Sequence, residues 1–102
     1  MDRIAMLTEI LEQAPNDPFA RYGLALEYSK SGDTDRAMAE FKKLLSANPE
    51  YTAGYFMAAQ TLAGASRTQE AKQMLADGIA SARRTGNTHA QSEMESMLEG
   101  LG

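Results

Sequence analysis

Pro15 and Pro49 each close one apolar-periodic stretch and open another. Proline lacks an amide hydrogen and its ring clashes with the preceding turn, so no helix runs undisturbed through either position. The interval between the two prolines recurs elsewhere: Leu11 returns as Leu45, Ala25 as Ala59, Thr34 as Thr68 and Ala37 as Ala71. Self-similarity at a period of a few tens of residues marks a repeat architecture, in which one unit cannot bury its apolar face alone and neighbours stack. Such arrays usually offer a surface to a partner and seldom a pocket for chemistry.

Every segment between breakers has helical spacing, and none alternates as a strand does. Residues 2–13 place Ile4, Leu7, Ile10 and Leu11 on one stripe, ended by Pro15. Asp17 is the expected N-cap of a second helix with Pro18 in its first turn. That helix runs to about Ser29, and Ser31-Gly32-Asp33 turns the chain. Asp33 or Thr34 caps the third, with Ala37, Met38, Phe41, Leu44 and Leu45 inward until Asn48-Pro49. A fourth runs from Thr52 to about Leu62, closed by Ala63-Gly64. Ser66 with Gln69, and Thr88 with Gln91, have capping-box spacing and are expected to open the fifth and sixth. Ala71, Met74, Leu75 and Ile79 face inward on the fifth, and Gly86-Asn87 ends it. Gly32 and Gly64 read as turn residues, and Gly23, Gly54 and Gly78 as points of close contact. The expectation is all-α, a stack of antiparallel helix hairpins with about six helices.

Between Asp17 and Pro49, Leu24, Ala25 and Tyr28 stand on one helix, Gly32 at the turn, Ala37 and Phe41 on the next helix and Pro49 at its end. In this pattern the segment resembles a tetratricopeptide repeat, whose leucine, small residue, tyrosine, turn glycine, alanine, aromatic and terminal proline these residues match. The next unit matches at Tyr55, Ala59, Ala71, Leu75 and Gly78, but Leu62 replaces the tyrosine and Arg83 stands where a proline would end the fifth helix, which is therefore expected to run on. The resemblance implies a right-handed superhelical stack forming one domain over residues 1–102. Its parts are a half repeat (1–15), two repeats (17–50 and 51–86) and a C-terminal capping helix (87–102). It also implies a protein-interaction adaptor, with the first helix of each unit lining a concave face where partners bind.

On the second helix Phe19, Tyr22 and Leu26 form an apolar stripe beyond the one the stack requires, and Lys30 continues it. An amphipathic surface helix needs only one such stripe. Ala53, Phe56, Met57 and Gln60 lie in the same direction on the fourth helix. Some members of the family hold a partner's C-terminal carboxylate with lysine, asparagine and arginine; here Tyr22, Leu26 and Met57 occupy those places, so the expected partner is an apolar or amphipathic peptide. The alternative is that Phe19 and Phe56 pack against each other between repeats. On the last helix Ala90, Met94, Met97, Leu98 and Leu101 line one side. They suit a cap on the stack or, alternatively, a homodimer interface, so the chain is expected to be a monomer or a homodimer.

The charge balance is -4 and the basic residues are scattered, which does not suit nucleic acid. With no cysteine there is neither a disulfide nor a thiolate metal site. The first thirteen residues carry charge every few positions, unlike a signal peptide or membrane span. The expectation is a cytoplasmic protein that binds no membrane. His89 and Glu93 share a helix face at i, i+4, but a metal site needs three or four ligands and a third is not evident. No nucleophile elbow or glycine-rich phosphate loop is present, so neither catalysis nor a cofactor is expected.

Overall fold

The computed structural model describes residues 2–102 as six α-helices joined by short turns, with no strand among the described residues. These are α1 (Arg3–Gln13), α2 (Pro18–Lys30), α3 (Thr34–Ala47), α4 (Thr52–Gly64), α5 (Thr68–Thr85) and α6 (Thr88–Gly100). They form two compact units, one holding α1 to α3 and reaching Asn48, the other holding α4 to α6 from Pro49 to Gly102. No helix among the described residues is long and apolar enough to cross a membrane.

In the first unit, carboxylates fasten all three helix starts. Asp2 accepts the amide of Ala5 at 2.8 Å, Asp17 those of Phe19 and Ala20 at 3.0 and 3.2 Å, and Asp33 that of Arg36 at 3.1 Å. Each satisfies a donor that the helix itself leaves unpaired. Gly32 takes a left-handed φ of 83°, which lets the Asp33 amide reach back to the Tyr28 carbonyl at 3.0 Å. Leu7 and Leu11 of α1 pack on Ala20 and Leu24 of α2, flanked by Ile4 and Tyr28. From α3, Ala37, Met38, Phe41, Leu44 and Leu45 are all buried, as their spacing predicts. Ile10 departs from expectation and is 40% exposed. Within its unit α1 packs only on α2 among the described residues, so a narrow stripe of it is covered and Ile10 falls outside.

The second unit is built around α4, which carries no charged residue and buries Gly54, Tyr55, Ala58, Ala59 and Leu62. A helix apolar on all sides must be covered on several, and here α5 lies along it while α6 packs on α5 and touches α4. The fifth helix runs on past the position of the missing proline to Thr85. It ends at Gly86, whose φ of 71° lets the Asn87 amide reach the Ala82 carbonyl at 2.9 Å. Gly78 is a close contact: a Cβ there would come within 2.6 Å of both the Met94 sulfur and Tyr55 Cβ.

Three local expectations are corrected. Ser66 is not a cap but the turn residue, with a left-handed φ of 62°, and α5 starts after Arg67 with no side-chain cap bond. The sixth helix is capped by Asn87, whose Oδ1 accepts the Ala90 amide at 3.1 Å, and Thr88 is its first helical residue. Gly64 is the last residue of α4 and needs no special conformation, because the turn is made two residues later at Ser66.

Candidate interaction surfaces

On α2 the residues expected to meet a partner differ in exposure. Phe19 is 78% exposed, whereas Met6 and Ile10, the other exposed large hydrophobics, reach 42% and 40%. Tyr22 is half-buried, its ring edge-on to Phe41 with centroids 6.5 Å apart and planes at 65°. Such a pair holds the ring in one orientation and adds about 1 kcal/mol beyond area burial. Leu26 is half-buried and Lys30 exposed, the latter 3.5 Å from the Glu27 carboxylate. Helical spacing lines up Phe19, Tyr22 and Leu26, from an exposed ring at the start of α2 to a partly covered side chain about two turns further on.

On α4 Phe56 and Met57 are half-buried and Gln60 is exposed. Phe56 forms part of a hollow of about 240 Å³ inside the second unit, bounded by Thr52 and Ala53 of α4 and by Ala90, Glu93 and Met94 of α6. Met94 is 1% exposed, its sulfur against Gly78, whereas Met97, Leu98 and Leu101 are half-buried. Leu98 and Ile79 border a shallower groove of about 420 Å³ between α5 and α6. An ion pair at 3.4 Å joins Arg83 and Glu95 beside it. His89 Nε2 lies 3.1 Å from the Glu93 carboxylate, and no group of three or more histidine, cysteine or acidic side chains suited to a metal occurs among the described residues.

Sequence reasoning did not reach a polar cluster under α4. The Tyr55 hydroxyl and the Ser81 hydroxyl both donate to the Pro49 carbonyl, at 2.6 and 2.8 Å. Ser81 is fully buried. Burial pushes the Tyr55 phenol above its usual range; nearby Asp77 adds to this, while Arg84 and the neighbouring Ser81 hydroxyl oppose it. The available signal was a hydroxyl at the position that Ala47 holds in the preceding repeat.

Residues 28–92 match the tetratricopeptide repeat. A TPR repeat-containing protein of Pseudomonas aeruginosa is 27% identical over 95 residues, covering 93% of this chain and 90% of that protein. The solution structure of a tetratricopeptide repeat domain protein from Salinibacter ruber superposes with a TM-score of 0.78 at 33% identity, covering 85% of this chain and 88% of the other. The solution structure of a protein from Bordetella parapertussis has a TM-score of 0.84 at 23% identity, covering 99% and 88%, and shares the fold. Repeats of this kind generally serve as non-catalytic scaffolds for contact between proteins. The match spans well over half the chain, on a fold of six helices in hairpins, and the chain belongs to the tetratricopeptide repeat family.

Proposed function

We propose that this protein is an interaction module without catalytic activity, binding an apolar or amphipathic segment of another protein. The contacts are Phe19, Tyr22, Leu26 and Lys30 on α2, and Phe56, Met57 and Gln60 on α4. The observation that carries the reading is Phe19, 78% exposed on a helix whose other large apolar residues are all at least half-buried. Exposed aromatics next to partly covered apolar side chains favour partner anchoring, since a ring contributes much buried area at small entropic cost. In this reading α6 is a cap on the second unit. Met94 is already spent against Gly78, which leaves Met97, Leu98 and Leu101 as its remaining apolar surface.

The test is selection of peptides from a random phage-displayed library on the full chain, followed by affinity measurements on variants. Selected peptides should carry apolar residues at helical or alternating spacing. Phe19→Ala and Tyr22→Ala should each weaken binding about tenfold or more, as anchor truncations do, with the unfolding midpoint of Phe19→Ala within a few degrees of wild type. Peptides that bind equally well to these variants and to Phe56→Ala sink the reading. Light scattering across concentration tests the cap: a dimer abolished by Leu98→Ser would assign α6 to self-association instead.

A further inference from the structure

The hollow beside Phe56 lies where the repeat places Ala53. Ala53 holds in the second repeat the place that Phe19 holds in the first, each being the second residue of its helix. Where α2 projects a phenyl ring, α4 has only a methyl group. Phe56, Ala90 and the buried Met94 close the sides of the space that is left. Its volume of about 240 Å³ suits one leucine or phenylalanine side chain. The walls are mainly apolar, and among the described residues the one charged group on them is Glu93, with its side chain 54% exposed. His89 lies against the same carboxylate with its side chain 88% exposed. Glu95 and Glu99 lie on the other side of α6, at the groove it shares with α5, the former paired with Arg83.

We infer that this hollow is an anchor pocket for a single leucine or phenylalanine of a partner peptide that carries lysine or arginine beside the anchor, the cation meeting Glu93. The inference rests on the interaction-module reading and names the chemistry of its partner. The anchor loses its water-exposed surface to apolar walls. Met94, packed against Gly78, gives one wall a fixed apolar surface. The Glu93 carboxylate discriminates by sign: a neighbouring carboxylate on the peptide is repelled, and a cation is attracted without being buried.

The experiment follows backbone amide shifts of the full-length chain during titration with acetyl-Gly-Leu-Lys-Gly-amide, and with the Ala-Lys and Leu-Glu versions of that peptide. Shifts are expected at Ala53, Phe56, Ala90 and Glu93. Leucine to alanine in the peptide should weaken binding at least tenfold, and lysine to glutamate about two- to fivefold. Ala53→Phe, which gives α4 the residue α2 already carries, should abolish the shifts with the thermal midpoint retained. Ala53→Met is the smaller filling variant should the phenyl ring disturb the helix. Equal binding of the leucine and alanine peptides to wild type overturns the pocket, and so does undiminished binding to the filled variants. Shifts confined to Phe19, Tyr22 and Leu26 also overturn it but leave the module reading standing; that reading fails instead if library-selected peptides ignore Phe19.

Discussion

In the first unit the Pro15 carbonyl accepts a bond at 3.0 Å from the guanidinium of Arg21; one repeat later, the Pro49 carbonyl accepts one at 2.6 Å from the Tyr55 hydroxyl. The donor sits six residues after the proline in both, and α2 and α4 start at the same offset, as do α3 and α5. The chemistry around this shared geometry differs. Arg21 also meets Glu40 at 2.6 Å, both side chains largely covered, whereas the matching residues of the second unit are Tyr55 and Met74. The first unit caps α2 and α3 with Asp17 and Asp33; the second has Tyr51 and Arg67 there, with no cap bond. The Asp33–Arg36 pair at 3.5 Å returns with its signs exchanged as Arg67–Glu70 at 2.6 Å. A proline-ended helix leaves a carbonyl that must be bonded, and the repeat requires that bond and the helix positions, not a particular donor. One hairpin meets the requirement with ions and the other with hydroxyls, close packing and an apolar helix.

The largest test exchanges volume at one repeat position, Leu44 in α3 and Gly78 in α5. Leu44→Ala deletes a fully buried side chain and should cost about 2–5 kcal/mol through lost transfer energy and a cavity. Gly78→Ala should cost about 1–3 kcal/mol by overpacking, since the new Cβ meets Tyr55 and Met94 at 2.6 Å. Hydrogen exchange should place each loss in its own unit, and a neutral Gly78→Ala would break the claim of close packing.

Next is the contrast of ions with hydroxyls. Glu40→Gln leaves Arg21 without its ionic partner in a largely covered site, and should cost about 1–3 kcal/mol in denaturant unfolding. Tyr55→Phe should cost about 1 kcal/mol because Ser81 still serves the Pro49 carbonyl. The double variant Tyr55→Phe with Ser81→Ala should lose more than the sum, as the carbonyl is then unpaired. Additive losses would show that the two hydroxyls do not share the task.

Smaller effects come from the turns and caps. Asp33→Ala should cost about 1 kcal/mol, and Arg67→Ala less, since Arg67 makes no side-chain cap bond. Ser66→Gly should stabilise the second unit by up to about 1 kcal/mol, relieving a left-handed non-glycine residue against a larger entropy loss on folding. A destabilised Ser66→Gly would mean that the serine side chain contributes something its backbone does not.

The smallest effect is alkaline. Tyr55 keeps its proton to higher pH when folded than when unfolded. Its contribution is therefore complete below about pH 10, the ordinary tyrosine value, and is lost as pH rises from there through the folded-state value. Unfolding midpoints measured across that range should fall less steeply for Tyr55→Phe than for wild type, and identical slopes would remove Tyr55 as the cause.

Much of this molecule follows from sequence alone because its signals are local. Pro15 and Pro49 stop helices by covalent geometry, Gly32 and Gly86 supply left-handed turns, and Asp17 and Asp33 bond amides two or three residues ahead. The buried faces of α3 and α5 follow from periodicity, which singled out Phe19 as well but left open whether it packs on Phe56. What escaped depends on neighbours distant in the chain. Ile10 has helical spacing suited to burial, yet it is exposed because its own unit packs just one helix against α1. Ser66 is a local exception: at the repeat position of Gly32 it takes the left-handed turn that closes α4, which displaces the expected cap. The Tyr55–Pro49–Ser81 cluster joins residues from three separate stretches of the chain. The hollow at Ala53 needs α6 to close it. Helices, turns and inward faces are set by residues a few positions apart; exposure, shared hydrogen bonds and pockets were decided only when the helices packed, because each is a property of the space between elements.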